Sequence, residues 1–170
     1  MIILGVDPGV ISTGYGAIEI KDGKESLVDC GVITIERERE LPARLSGIYD
    51  GITRLCRRLQ PKAVAIEEIF FSKNARTAIT VGHTSAAVIL AAVHQGVEVS
   101  TYTPLQIKQM VSGYGRADKN QMQRIVQMIL KLQDLPRPDH AADALAAALC
   151  HYYISGTTSK LKVTKWSDNW

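Results

Sequence analysis

The sequence predicts an α/β domain, a five-stranded mixed sheet flanked by helices. Three observations carry that prediction. An apolar, β-branched-rich run at the N-terminus is closed by Asp7-Pro8-Gly9. An Asp-Gly pair follows between two further strand-like runs. Near Leu41 the apolar spacing changes from alternation to helical recurrence.

Residues 2–6, IILGV, read as a central strand, and the turn after them places Asp7 at the strand end. Residues 13–20 and 25–35 are two more strands. Lys21-Asp22-Gly23-Lys24 joins them with a tight-hairpin signal, so the first three strands form an antiparallel meander. Leu41, Leu45, Ile48, Tyr49, Ile52, Leu55, Cys56 and Leu59 then share one face of a helix that Pro61 stops. Residues 63–66 are a short buried strand running straight into Glu67-Glu68. Residues 74–95 are a helix ended by Gly96, and residues 97–102 are a fifth strand. Strand, helix, strand implies a parallel pair. Thr103-Pro104 has the N-cap and N1 residue types of a short helix ending near Ser112, followed by the loop Gly113-Tyr114-Gly115. The next helix, 118–132, opens with Asp118 and carries Gln121 three residues on. The last helix begins after Pro138, with Asp139 as its cap, and runs to about Tyr153. Residues 155–170 are rich in Ser, Thr and Lys and are expected to be a mobile tail, leaving residues 1–154 as the folded domain.

At 170 residues the chain is long enough for one domain with a real core. A formal charge of +3 permits a nucleic-acid partner without demanding one. Cys30, Cys56 and Cys150 are odd in number and lie in no CxxC or Cys/His cluster, which argues for reduced thiols in a cytoplasmic protein and against a zinc site. No apolar stretch reaches membrane-spanning length, and MIILGVDPG lacks the features of a signal peptide.

The chemistry lies in acids delivered by separate elements. Asp7 ends the first strand, Glu67 ends the fourth, and His140 and Asp143 stand three residues apart on the last helix. Adjacent parallel strands bring their carboxyl ends side by side, so Asp7 and Glu67 are expected to be neighbours. If the last helix starts near that edge, His140 and Asp143 complete a cup of hard oxygen donors and one imidazole, suited to Mg²⁺ or Mn²⁺. Carboxylates so close repel one another, and a divalent cation is the natural compensation. Two such ions about 4 Å apart can cleave a phosphodiester. The blander alternatives are a turn-opening Asp7, a solvated Glu67 and, for Asp143, a first-turn helix acid. Glu68 faces away from Glu67 if the strand continues, and is taken as structural.

ILGVDPGVISTGYG, AIEEIFFSKNARTA and HAADALAAALCH together resemble the RuvC family of Holliday junction resolvases, within the ribonuclease H-like nucleases, and the likeness spans roughly residues 1–153. The resemblance implies a homodimer that places symmetric cuts in four-way DNA junctions during recombination and repair, with the RuvA–RuvB branch-migration complex as partner. By position it assigns Asp7, Glu67, His140 and Asp143 as the catalytic and metal-binding set. His140 stands where some members carry Asp, so its role as ligand or as general acid/base is open. Phe70 matches an aromatic that stacks on bases at the opened crossover, although a core Phe beside Phe71 would look the same. Lys108 and Lys119 match basic residues near the scissile phosphate, and Lys73, Arg76 and Arg116 add phosphate contacts, with solvated surface charge as the alternative for each. For the dimer, the small residues Ala75, Ala78, Gly82 and Ala86, with Leu90, make the helix over 74–95 the expected interface. Two rivals stand beside this reading. One is a single-domain relative of the sugar-kinase and actin-like ATPases, whose first hairpin GVDPGVISTGYG also resembles. The other is a catalytically silent junction-binding module.

Overall fold

A computed structural model describes residues 1–36, 39–68 and 75–163, the side chains of 75–77 and 157–163 excepted. Its element order is β1 (Ile2–Asp7), β2 (Ser12–Lys21), β3 (Lys24–Thr34), α1 (Leu41–Leu59), β4 (Ala63–Glu67), α2 (Ala75–His94), β5 (Glu98–Tyr102), α3 (Pro104–Ser112), α4 (Lys119–Leu130) and α5 (Asp139–Val163). The strands form one sheet in the order β3-β2-β1-β4-β5, with β1–β2 and β2–β3 antiparallel and β1–β4 and β4–β5 parallel. The expected meander and parallel unit are both present. Asp22 and Gly23 make the β2–β3 turn with positive φ angles of 52° and 72°, a conformation Gly adopts freely and Asp tolerates.

Strand alternation sorts the core into two layers. Leu4 and Val6 of β1, Ala17 of β2, and Val64 and Ile66 of β4 pack against Ile48, Ile52 and Leu55 of α1 and Val88, Ala91 and Ala92 of α2. Ile3, Ile18, Ala65 and Tyr102 face the opposite way, onto α3, α4 and the buried alanines and leucines of α5. Asp7 is an even number of residues from Ile3, and Glu67 from Ala65, so both acids point to the α5 side.

Helix ends follow local chemistry. Thr103 with Gln106, and Asp118 with Gln121, form capping boxes at α3 and α4 as their spacing predicts. Helix α1 ends where Gln60 turns left-handed and donates its N–H to Cys56 O, one residue before Pro61. Helix α5 differs from expectation at both ends. Its backbone stays helical to Val163, ten residues past the predicted end, because Ser, Thr and Lys carry only a modest helix penalty and no proline intervenes. At its start Asp139 is the first helical residue, and its carboxylate is bonded to Lys119 and Gln123 rather than capping the helix.

The α5 backbone rests almost directly on the sheet. A Cβ placed on Gly5 would lie 1.8 Å from Ala144 O, one on Gly14 2.1 Å from His140 O, and one on Gly16 2.6 Å from the Leu145 side chain. All three glycines face α5, and any side chain there would push the helix away. Gly5→Ala is therefore expected to destabilise the fold by about 3 kcal/mol or more, the upper range for overpacking against backbone. Gly31→Ala, whose nearest neighbours are the Tyr15 hydroxyl at 3.0 Å and two atoms of its ring at 3.1 and 3.2 Å, side-chain rather than backbone atoms, should cost far less. Urea unfolding midpoints of the two variants measure the contrast.

Candidate metal centre

The site forms where the carboxyl ends of β1 and β4 meet the first turn of α5. Asp7 follows Val6, the last residue of β1 paired with β4 (to Ile66), and Glu67 follows Ile66, so the two acids end adjacent parallel strands. The loop after Asp7 is held by Thr13, whose buried hydroxyl donates to Gly9 O at 2.7 Å. His140 and Asp143 descend from α5 onto the same spot, at the height that Gly14 permits.

Asp7, His140 and Asp143 each offer a ligand atom, all within 4.8 Å of one another. The imidazole Nδ1 lies 2.6 Å from Asp7 Oδ2, a hydrogen bond when that nitrogen carries the proton. Glu67 stands outside this tight group but senses it. Burial first, then the negative charges of Asp7 and Asp143, push its carboxyl up to about 8, against the opposing pull of Lys108 and Lys119. Burial also raises Asp143, with Lys119 opposing and Asp7 adding. Two carboxylates and an imidazole within reach of one point, beside a third carboxyl that resists ionising, are a donor set short of positive charge. That chemistry fits a divalent ion with oxygen and nitrogen ligands.

The flanking cations divide between described and undescribed residues. Lys119 Nζ lies 3.1 Å from Asp139 Oδ2 and 3.5 Å from Asp143 Oδ2. The half-buried Lys108 acts on Glu67 through its charge, and Arg116 is exposed on the loop before α4. Phe70 and Lys73 lie outside the described residues, as does the side chain of Arg76. Glu68 turns away from the cup, as alternation predicts, and accepts a hydrogen bond from Thr101 Oγ1 at 2.6 Å. Beside the start of α5 a cleft of about 590 Å³ is lined by Asn120, Gln123, Arg137, Asp139 and His140 among others, so it borders the site at His140.

Two features escaped the sequence reading. Gly14 sets how closely His140 approaches, and its signal was a glycine recurring at alternate positions, 14 and 16, within a predicted strand. Asp139 joins the site's charge network instead of capping α5, and it carried no signal beyond its place next to His140.

Comparison with known proteins agrees along nearly the whole chain. The family model described as crossover junction endodeoxyribonuclease RuvC matches residues 3–151. A protein of that name from Caldanaerobacter subterraneus is 45% identical over 161 residues, covering 95% of this chain and 98% of the relative. One from Moorella thermoacetica is 48% identical over 151 residues, covering 89% and 90%. The structure of Thermus thermophilus RuvC superposes with a TM-score of 0.87 at 35% identity, covering 93% of this chain and 97% of that one. The same protein in complex with a Holliday junction substrate superposes with a TM-score of 0.84 at 33% identity, covering 92% and 96%. The yeast mitochondrial resolvase Ydc2, at 11% identity and a TM-score of 0.67, shares the fold. With a ribonuclease H-like fold and this match over almost its entire length, the chain belongs to the RuvC family of crossover junction endodeoxyribonucleases.

Proposed function

We propose that this protein resolves four-way DNA junctions by metal-dependent phosphodiester hydrolysis at a site formed by Asp7, Glu67, His140 and Asp143. The observation that carries the reading is the convergence of Asp7, His140 and Asp143 from β1 and α5 within 4.8 Å of one another, with Glu67 of β4 close enough for the charge of Asp7 and Asp143 to raise it, in a chain whose family is named for that endonuclease activity. A bound pair of Mg²⁺ or Mn²⁺ ions would supply an activated water and neutralise charge on the leaving oxygen. Asp7 and Asp143 are the anionic holders. Glu67 joins them once it ionises. His140 offers an imidazole nitrogen, which favours Mn²⁺ over Mg²⁺ relative to an all-carboxylate site. Lys119 and Lys108 flank the acids, where an ammonium can hold the scissile phosphate and offset charge that grows in the transition state. Arg116 and, from the sequence, Lys73 and Arg76 fit contacts to the DNA backbone, and Phe70 fits stacking on an unpaired base.

Paired cuts call for two equivalent sites, and the outer face of α2 supports a homodimer. Ile79, Leu90 and Val93 are 62%, 52% and 54% exposed, and Gly82, His83 and Ala86 lie exposed between them. Their spacing of three and four residues makes an apolar stripe for a second copy of the same helix. Of the small residues expected there, Gly82 and Ala86 are exposed and Ala78 is half-buried, while the side chain of Ala75 is outside the described residues. Partnership with the RuvA–RuvB branch-migration complex is the expectation that the family likeness adds. Cytoplasmic residence is supported by three free cysteines. Among the described residues no helix is long and apolar enough to cross a membrane.

The direct experiment is Asp7→Asn. Cleavage of a synthetic junction should fall by on the order of 100-fold or more while junction affinity stays within a few-fold, since phosphate contacts persist when a metal holder is lost. Gel shift and cleavage on one preparation test this. Appreciable residual cutting would remove Asp7 from the site, and equal wild-type inactivity would favour a silent binding module.

Metal binding should also depend on pH. The folded-state value of Glu67 lies above its ordinary one, so the proton stabilises the metal-free fold, and that contribution is lost as pH rises toward about 8. Metal needs the ionised form, so its affinity should climb by up to ~10-fold per pH unit below that value. The thermal shift induced by Mn²⁺ without DNA should be larger at pH 8.5 than at pH 6, and Glu67→Gln should flatten the difference. For the dimer, Leu90→Asp should yield monomers by sedimentation at micromolar concentration with the helical signal intact.

A further inference from the structure

A chain of three polar side chains ends on a proposed metal holder. Gln123 Nε2 donates to Asp139 Oδ1 at 2.9 Å. Lys119 Nζ donates to Asp139 Oδ2 at 3.1 Å, and the same ammonium lies 3.5 Å from Asp143 Oδ2. Lys119 is the first residue of α4, held in register by the Asp118–Gln121 capping box, and Asp139 is the first residue of α5. The two helix starts therefore face each other across the rim of the acid cup, each oxygen of Asp139 engaged by a different partner on α4.

Lys119 is shared between two carboxylates with different duties. Asp143 belongs to the cup, and an ammonium on it competes with a divalent ion for the same oxygen. Asp139 lies one residue before His140, outside the group of converging ligand atoms, and is already the nearer of the two partners. We propose that Asp139 is a positioning residue that accepts the Lys119 ammonium when a divalent ion takes Asp143, so that Lys119 neither blocks the ion nor leaves the phosphate's side of the site. Gln123 fixes the Asp139 carboxylate for that role. The inference rests on the metal-site reading above, but it concerns how the chain's own cation is kept off the metal's ligands.

Three consequences follow physically. Without the charge at position 139, Asp143 is the carboxylate left within ion-pair distance of Lys119 among the described residues, so competition with metal grows. Without Lys119 there is nothing to hold, so position 139 should stop mattering. Loosening Asp139 by removing Gln123 should act in the same direction as removing its charge, and more weakly.

The test is Mn²⁺ titration of the full chain without DNA, followed by calorimetry or thermal shift at fixed pH. The proteins are wild type, Asp139→Asn, Gln123→Ala, Lys119→Met, and two double variants that join Lys119→Met to Asp139→Asn or to Gln123→Ala. Asp139→Asn should weaken Mn²⁺ binding by about two- to five-fold, the scale of a partly exposed ion pair. In the Lys119→Met background the same substitution should leave affinity unchanged, and Gln123→Ala should show a smaller loss that also vanishes in that background. Equal weakening with and without Lys119 would overturn the proposal, because it would make Asp139 a ligand or a general source of negative charge. Wild-type affinity in both Asp139→Asn and Gln123→Ala would overturn it alone. Failure of the wild type to bind Mn²⁺ would remove the metal-site reading and the inference together.

Discussion

The close seating of α5 on the sheet is the constraint on which the site depends. Two of the four proposed metal-site residues, His140 and Asp143, come from that helix, and two, Asp7 and Glu67, come from the strands beneath it. Gly5, Gly14 and Gly16 let the α5 backbone come close enough that a Cβ on any of them would collide with it. Alanines complete the fit from the helix side, with Ala141, Ala142, Ala144 and Ala146–Ala148 all buried. Tight packing of small residues leaves little freedom in height or rotation, so side chains on the first turn of α5 are delivered to one place relative to the strand ends. Core packing and site geometry are thus one interaction seen from its two ends.

That geometry concentrates negative charge. An ordinary surface would let Asp7, Glu67 and Asp143 separate, but the strand register and the seated helix hold them near one another. Glu67 shows the consequence, since its carboxyl is held up to about 8 by burial and by its two acidic neighbours. Lys119 and Lys108 offset part of the charge from the rim. Each lysine is a single charge at the rim, whereas one divalent ion in the cup, as proposed, would touch several oxygens at once. The fold therefore carries a local electrostatic cost, and on the proposed metal-site reading a bound cation would relieve it, a common relation between stability and function at sites of this kind.

Much of this was legible in the sequence because the informative signals are local. Apolar runs ending in acids placed Asp7 and Glu67 at strand ends, and the Thr103–Gln106 and Asp118–Gln121 pairs marked two helix starts. Sheet parity followed from alternation and sent Glu68 to the far side. What was not legible depends on contacts between distant segments. The three glycines look like ordinary weak points in strands until α5 is laid over them. Asp139 looks like a cap until Lys119 and Gln123, from another helix, claim both its oxygens. The extent of α5 escaped prediction because nothing local in the Ser- and Thr-rich stretch forbids a helix that is already nucleated. Convergence of His140 with Asp7 could be argued only on the condition that the last helix starts near the strand ends, and its 2.6 Å contact is a product of tertiary packing.

The central claim is that Asp7, Glu67, His140 and Asp143 bind the divalent metal used for cleavage. It is tested most directly by anomalous diffraction from crystals of the junction complex soaked in Mn²⁺. Peaks within coordination distance of Asp7, Glu67 and Asp143, with an imidazole nitrogen of His140 in or against the same sphere and the scissile phosphate beside them, are the predicted result. Manganese bound to the junction complex elsewhere, with these four residues bridged only by protons or by Lys119, would contradict it.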